Sequence, residues 1–137
     1  MDNIAAAIMI ATKVHAGKLR KFSYDDYIEH PLRVAAAMNT IEEKAVAWLH
    51  DVLEDDPTAA FDMGKAGIPG DILAHVIVLT RKKDESYLTY LKRVMKDPIA
   101  VCVKLADLRD NMRDLPFGSL RSKYELAEYI LQEVEEK

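Results

Sequence analysis

Hydrophobic residues recur along almost the whole chain at intervals of three or four positions, which is the periodicity of amphipathic α-helices. In the first segment, Ile4, Ile8, Ala11 and Val14 fall on one face of such a helix. No segment shows the strict alternation of apolar and polar residues that is typical of a half-buried β-strand. We therefore predict an all-α fold. Because neither repeats nor low-complexity linkers interrupt the pattern, we expect one compact domain over residues 1–137.

Capping residues, prolines and glycines divide this periodic pattern into eight predicted helices. Asn3 is predicted to cap the first helix, which runs to about Gly17, and Pro31 is predicted to open the second. The third is expected to run from about Glu42 to Asp56, because the residue before a proline avoids the helical conformation. The remaining five are predicted at residues 58–65, 70–80, 87–96, 99–115 and 122–137. Ser86 is predicted to cap the helix over 87–96, and Asp97 with Pro98 to open the helix over 99–115.

Composition and charge narrow the classes of protein that the chain can represent. The 19 basic and 23 acidic residues give a net charge of −4, which argues against a general nucleic-acid-binding protein. A single cysteine, Cys102, cannot form an intrachain disulfide, and no apolar stretch approaches membrane-spanning length. We expect a soluble, cytoplasmic protein that binds neither nucleic acid nor membrane. The sequence leaves open whether it forms homo-oligomers.

The segment HDVLED, at residues 50–55, places a histidine and three acidic side chains in a helix that is otherwise apolar. His50 and Asp51 are adjacent, roughly 100° apart around a helix, so both can lean toward one point between neighbouring helices. His30 precedes a proline at a predicted helix start, where its ring can project into a cleft. Asp107 lies in the apolar run KLADL, and a carboxylate is costly there unless it is paired or bound to metal.

Two imidazoles and two carboxylates form a mixed nitrogen and oxygen ligand set. Such a set suits Mn²⁺, Fe²⁺ or Zn²⁺ better than Ca²⁺ or a structural zinc ion. The candidate ligands of this divalent metal are His30, His50, Asp51 and Asp107. Alternatives stay open at this point, because most His-Asp pairs lie on protein surfaces and because a buried aspartate can instead cap a neighbouring helix.

The order of these motifs resembles that of the HD-domain metal-dependent phosphohydrolases, in particular their RelA/SpoT-type branch and its stand-alone, Mesh1-type members. The matching stretches span most of the chain and are HAGKLRK (15–21), YIEHPLRVA (27–35), AWLHDVLEDD (47–56), LT (79–80) and VKLADLRDNMR (103–113). The resemblance implies an HD-domain helical fold with Mn²⁺ as the typical metal. It also implies hydrolysis of the 3′-pyrophosphate of the guanosine alarmones of the stringent response, (p)ppGpp.

The resemblance assigns metal and catalytic roles position by position. The residues that match the metal ligands of the family are His30, His50, Asp51 and Asp107. Glu54 and Asp55 match the acidic pair that handles the attacking water and its proton. They lie one helical turn after His50 and Asp51 and therefore share the face of these residues. The alternative for both acids is an ordinary helix end that faces solvent.

Further positions match residues that contact the substrate in the family. Arg20 and Lys21 match a pair that holds phosphates, and together with Lys18 they would attract an anion to an acidic protein. An ordinary solvated loop explains the same three charges equally well. Asn111 matches a nucleotide-contacting asparagine, although it can instead orient Asp107, four residues earlier on the helix.

The chain departs from the family pattern in two places. Tyr24, Asp25 and Asp26 stand where the family usually has a Gly-x-Pro turn, and Asp110 stands where it tends to have histidine. Two acidic side chains in that loop would repel the phosphates of a nucleotide unless they point outward or bind metal. Both departures leave the four candidate metal ligands in place and concern the identity of the substrate. The alternatives are an HD-type nucleotidase or phosphodiesterase and a non-catalytic nucleotide-binding module.

Overall fold

The computed structural model describes residues 2–136, which form nine α-helices joined by turns and short loops. In chain order these are α1 (Asn3–Val14), α2 (Glu29–Ala36), α3 (Ile41–Leu49), α4 (Val52–Asp55), α5 (Ala59–Lys65), α6 (Gly70–Leu79), α7 (Tyr87–Val94), α8 (Pro98–Arg113) and α9 (Ser119–Glu135). No strand occurs among the described residues, where one isolated β-bridge joins Leu19 to Asp26. The predicted all-α fold is confirmed. In the described part of the chain, every helix is too short or too polar to cross a membrane.

Local sequence signals explain several helix boundaries. Thr40 and Glu43 form a reciprocal capping box at the start of α3. The side chains of Ser86 and Asp97 accept hydrogen bonds from backbone amides in the first turns of α7 and α8, as predicted. Gly67 adopts a φ of 81°, which allows the chain to turn sharply after α5.

Other boundaries differ from the predictions. The cap of α1 is Asp2 rather than Asn3, because the Asp2 carboxylate accepts a hydrogen bond from the Ala5 amide. Helix α2 begins at Glu29, two residues before Pro31, since a proline fits in the first turn, where amides have no intrahelical acceptor. Helix α9 starts three residues earlier than predicted, and its predicted end at residue 137 lies outside the described residues.

The third predicted helix is divided at the HD motif. Helix α3 ends at Leu49 and α4 begins at Val52, so His50 and Asp51 form a turn between them. The His50 amide approaches the carbonyl of Ala47, three residues back, and Asp51 has a ψ of −5°. This tightened turn is the local feature that changes the directions of the two adjacent side chains.

The core lies where α3 meets its neighbours. Helix α3 packs against α1, α2, α6 and α8, and all five residues of its second half, 45–49, are buried. The central part of α8 contributes buried Val103, Leu105 and Leu108. The end of α3 and the middle of α8 are therefore held together by apolar burial, and the polar residues on these segments are brought close to each other.

Candidate metal centre

Two histidines and two aspartates converge where α2, the HD turn and α8 meet. One ligand atom from each of His30, His50, Asp51 and Asp107 lies within 4.8 Å of the other three. Asp107 Oδ1 is 2.8 Å from His30 Nε2 and 3.2 Å from His50 Nε2, and Asp51 Oδ2 is 3.1 Å from His50 Nε2. Two ligands at about 2.1 Å from a metal and at right angles are about 3 Å apart, so these spacings suit a divalent cation.

Both histidines hold the Nδ1 proton in a hydrogen bond that points away from the cluster. His50 Nδ1 donates to the carbonyl of Ala47 at 2.6 Å, and His30 Nδ1 donates to Asp110 Oδ2 at 2.6 Å. Because neither acceptor can donate a proton, these contacts keep a proton on Nδ1 of each ring. They leave Nε2 as the atom that can bind a metal, as is usual for metal-ligating histidines.

The two aspartates of the cluster are also oriented by neighbouring donors. Lys104 Nζ donates to Asp107 Oδ2 at 2.7 Å, and Asn111 Nδ2 donates to Oδ1 of the same carboxylate at 3.2 Å. The hydroxyl of Tyr27 donates to Asp51. Burial would raise the pKa of Asp107, but the charge of Lys104 and the histidine hydrogen bonds hold it well below its usual range. The carboxylate is therefore in the ionised form that a cation requires.

The histidines are more basic than usual in these surroundings. Burial by itself would lower the pKa of His30, but hydrogen bonds with Asp107, Asp110 and Asp51 raise it to about 9. The pKa of the buried His50 is likewise raised by the charge of Asp51 and the hydrogen bond with Asp107. Protons therefore compete with a metal for both Nε2 atoms.

Three of the four cluster residues line a cavity of about 390 Å³, a volume that is typical of small-molecule sites. Its basic side chains are Lys18, Arg20, Lys21 and Lys104, and its aromatic side chains are Phe22, Tyr27, Tyr90 and Tyr124. Such a lining suits a ligand that carries both anionic groups and a planar ring.

The two predicted catalytic acids have different surroundings. Glu54 lines the cavity, and partial desolvation together with the negative charge of Asp51 raises its pKa. Asp55 is not among the cavity-lining residues. Its carboxylate accepts hydrogen bonds from Lys18 Nζ at 2.7 and 2.9 Å and lies 2.9 Å from His15 Nδ1. Glu54 and Asp55, which were predicted to act as a pair, therefore face different surroundings.

All four predicted substrate-contacting residues lie on the cavity wall, namely Lys18, Arg20, Lys21 and Asn111. Arg20 is buried, and its guanidinium donates to Asn111 Oδ1 at 3.4 Å. The ammonium of Lys18 lies 3.9 Å from the ring centroid of Tyr27, in addition to its contact with Asp55. Lys21 is exposed. The basic residues of the loop therefore range from a buried, hydrogen-bonded arginine to an exposed lysine.

Neither departure from the family pattern adds an acid to the cavity lining. Asp25 and Asp26 are exposed and do not line the cavity. Asp110 is also absent from the lining, because its carboxylate is directed at His30 and Arg33. These acids would repel phosphates only if they lay on the cavity wall, and they do not lie there.

Sequence reasoning missed Lys104 and Tyr27. For Lys104 a signal exists, because a lysine inside the apolar run VCVKLADL, one helical turn before Asp107, is unusual unless it is paired. The contact between Tyr27 and Asp51 joins residues 24 positions apart and has no local signal in the sequence.

A histidine, an adjacent His-Asp pair and a distant aspartate thus meet at one point in a helical fold, as the resemblance to the HD-domain class implies. No protein-family model matches the chain. The sequence is 31% identical to the bifunctional (p)ppGpp synthase/hydrolase SpoT of Escherichia coli (strain K12), in an alignment that covers 88% of this chain and 19% of SpoT. It is 33% identical to the guanosine-3′,5′-bis(diphosphate) 3′-pyrophosphohydrolase of Haemophilus influenzae, with 82% of this chain and 18% of that protein covered.

The chain thus spans about a fifth of the length of the curated relatives that it matches. A solved structure of a metazoan ortholog of SpoT, which hydrolyzes ppGpp and plays a role in starvation responses, has the same fold. The TM-score is 0.78 at 22% sequence identity, and the superposition covers 98% of this chain and 86% of that chain. The resemblance to SpoT-type HD-domain proteins, which the motifs predict, is confirmed.

Proposed function

We propose that this chain is a metal-dependent phosphohydrolase that removes the 3′-pyrophosphate from (p)ppGpp. The observation that carries this proposal is the convergence of two imidazoles and two carboxylates beside a cavity with basic and aromatic walls. The names of the relatives, which include a (p)ppGpp synthase/hydrolase and a 3′-pyrophosphohydrolase, support this choice of substrate.

The metal that we propose is Mn²⁺, and Fe²⁺ or Zn²⁺ would suit the same ligand set. The residues that would hold it are His30, His50, Asp51 and Asp107. A bound divalent cation lowers the pKa of water and polarises a phosphoryl oxygen. The hydrogen-bond partners of these side chains support this assignment, because they leave both Nε2 atoms and the carboxylate oxygens directed at a common point.

Glu54 is the proton acceptor in this proposal. A carboxylate with a raised pKa takes a proton from water near neutral pH more readily than an ordinary glutamate does. Its position on the cavity wall puts it within the same space as Asp51 and Asp107. Asp55 assists the reaction by holding the ammonium of Lys18 at the cavity edge.

The basic loop and Asn111 bind the substrate. Arg20, Lys21 and Lys18 would pair with phosphate oxygens, since guanidinium and ammonium groups form charge-assisted hydrogen bonds with phosphates. Asn111 contacts both Arg20 and Asp107, so it joins the phosphate-binding side of the cavity to the metal ligands. The aromatic side chains of the wall would pack against the base.

The test is hydrolysis of ppGpp by purified protein that has been stripped of metal and then supplied with Mn²⁺. We expect release of GDP and pyrophosphate, detected by ion-exchange chromatography, and no turnover before Mn²⁺ is added. Release of orthophosphate alone would contradict the proposal in favour of a nucleotidase. Tight nucleotide binding without turnover would contradict it in favour of a binding module.

A further inference from the structure

Asp110 lies behind the candidate metal centre and contacts three basic side chains. Its Oδ2 accepts the His30 Nδ1 proton at 2.6 Å. Arg33 donates from Nε to Oδ1 at 2.6 Å and from Nη2 to Oδ2 at 3.2 Å. Arg20 Nη2 lies 3.6 Å from Oδ2. Because the Arg33 guanidinium engages both carboxylate oxygens, it fixes the plane of the carboxylate as well as its position.

Because His30 is buried, it depends on this carboxylate as the hydrogen-bond acceptor of its Nδ1 proton. The side chain of His30 is 0% exposed and that of Asp110 is 8% exposed, so water has little access to replace the contact. A histidine that loses the acceptor for Nδ1 can adopt the other tautomer, which carries its proton on Nε2. In His30 the Nε2 atom is the one that faces Asp107 and the rest of the cluster.

We propose that Asp110 and Arg33 form a positioning pair for the metal centre. Arg33 clamps Asp110, and Asp110 in turn holds His30 in the tautomer and orientation in which Nε2 can bind the cation. The same carboxylate attracts Arg20, so the pair also connects a metal ligand to the proposed phosphate site. This inference rests on the proposed function for the role of the metal, and it assigns a role to two residues that do not line the cavity.

The first test is titration of the metal-free protein with Mn²⁺ alone, with the heat of binding measured by calorimetry. Loss of a hydrogen-bond partner of a ligand typically weakens metal binding by about 10–100-fold, and we expect a loss of this size for Asp110→Ala. For Arg33→Met, which keeps the apolar stem but removes the clamp, we expect a smaller loss, since Asp110 still accepts the His30 proton. Asp62→Asn, a change of an exposed acid on α5, is the matched control and should leave Mn²⁺ affinity unchanged.

The second test reads the tautomer directly. Long-range ¹H–¹⁵N correlation spectra of the Zn²⁺-loaded protein should show His30 with a protonated Nδ1 and a metal-bound Nε2. In Asp110→Ala this pattern should be lost or mixed, and in Arg33→Met it should persist. Circular dichroism of the metal-free variants establishes that each is folded.

An unchanged His30 pattern and unchanged Mn²⁺ affinity in folded Asp110→Ala would overturn the inference. Both readouts are independent of ppGpp. If wild-type protein binds Mn²⁺ but does not hydrolyse ppGpp, the proposed function fails and the positioning pair can still be judged from the variants.

Discussion

The two sides of the cavity are built in opposite ways. The candidate metal centre is mostly buried, and each of its side chains is oriented by a hydrogen bond with Asp110, Tyr27, Lys104 or the carbonyl of Ala47. The loop between α1 and α2 is largely exposed and supplies basic and aromatic groups. The difference indicates that the geometry of the candidate ligands is set by neighbouring groups within the protein, whereas the loop side chains that face solvent can change rotamer when a ligand binds.

The largest effect is expected from removing a ligand. Asp51→Ala should lower Mn²⁺ affinity by more than about 100-fold, since even loss of a group behind a ligand costs about 10–100-fold. Turnover of ppGpp should fall below detection, because no other group replaces the carboxylate. The measurement is Mn²⁺ titration paired with product analysis, and Asp62→Asn is the control. Retained Mn²⁺ binding in folded Asp51→Ala would place the metal elsewhere.

Glu54→Gln should separate catalysis from metal binding. We expect kcat to fall by about 10²–10⁴-fold, which is the usual contribution of a general base, with Mn²⁺ affinity within about twofold of wild type. Steady-state kinetics at saturating Mn²⁺ measure the first quantity, and titration measures the second. The corresponding change Asp55→Asn should lower kcat by a smaller factor, because the Asp55 carboxylate is bound to Lys18 and His15. Equal losses at both positions would contradict the distinction between the two acids.

Within the basic loop, substitution of the buried arginine should raise KM more than substitution of the exposed lysine. Arg20→Ala should raise KM by about 10–100-fold, because a charge-assisted hydrogen bond in a buried site is worth about 1.5–3 kcal/mol. Lys21→Ala should raise KM by no more than about fivefold, since an exposed pair is worth less than about 1 kcal/mol and is screened by salt. Kinetics at low and high salt test the comparison, and a larger effect at Lys21 would reverse it.

The affinity for Mn²⁺ should increase with pH. The pKa of His30 is raised to about 9, so at neutral pH its Nε2 is protonated and must lose the proton before it binds a cation. Affinity should therefore rise by about tenfold per pH unit for each proton released, and the contribution of the His30 proton should level off above pH 9. The stability of the metal-free protein should change with pH in the opposite direction. The contribution of the charged His30 imidazole to the free energy of unfolding is complete below pH 6.5 and is lost as the pH rises through about 9.

This linkage is measured by calorimetry at one pH in two buffers with different ionisation enthalpies. The difference in observed enthalpy gives the number of protons released. A Mn²⁺ affinity that does not change between pH 7 and pH 9 would contradict the release of a proton from His30 on metal binding.

The smallest effect is expected at the acids that replace the Gly-x-Pro turn. Asp25→Asn and Asp26→Asn should change kcat and KM for ppGpp by less than about twofold, because exposed charges in high dielectric interact weakly. A large decrease in KM for either variant would mean that its charge reaches the bound phosphates.

Sequence patterns predicted the helices and the residues of the site, but not how the site residues are supported. Asp97 and Ser86 cap their helices as expected, because caps depend on contacts within three residues. The turn at His50 and Asp51 was not predicted, since periodicity alone continues through it. The role of Asp110 was also missed, because its partner His30 is 80 positions away along the chain.

The sequence by itself determined the helical class, the order of the motifs and the chemical types of the ligands, because these depend on local periodicity and on side-chain chemistry. Only the tertiary structure decided that His30 and Asp107, 77 positions apart, meet at 2.8 Å. It also decided that Glu54 faces the cavity while Asp55 faces Lys18. These outcomes depend on how α2, α3 and α8 pack across the core, and no local spacing along the chain contains that information.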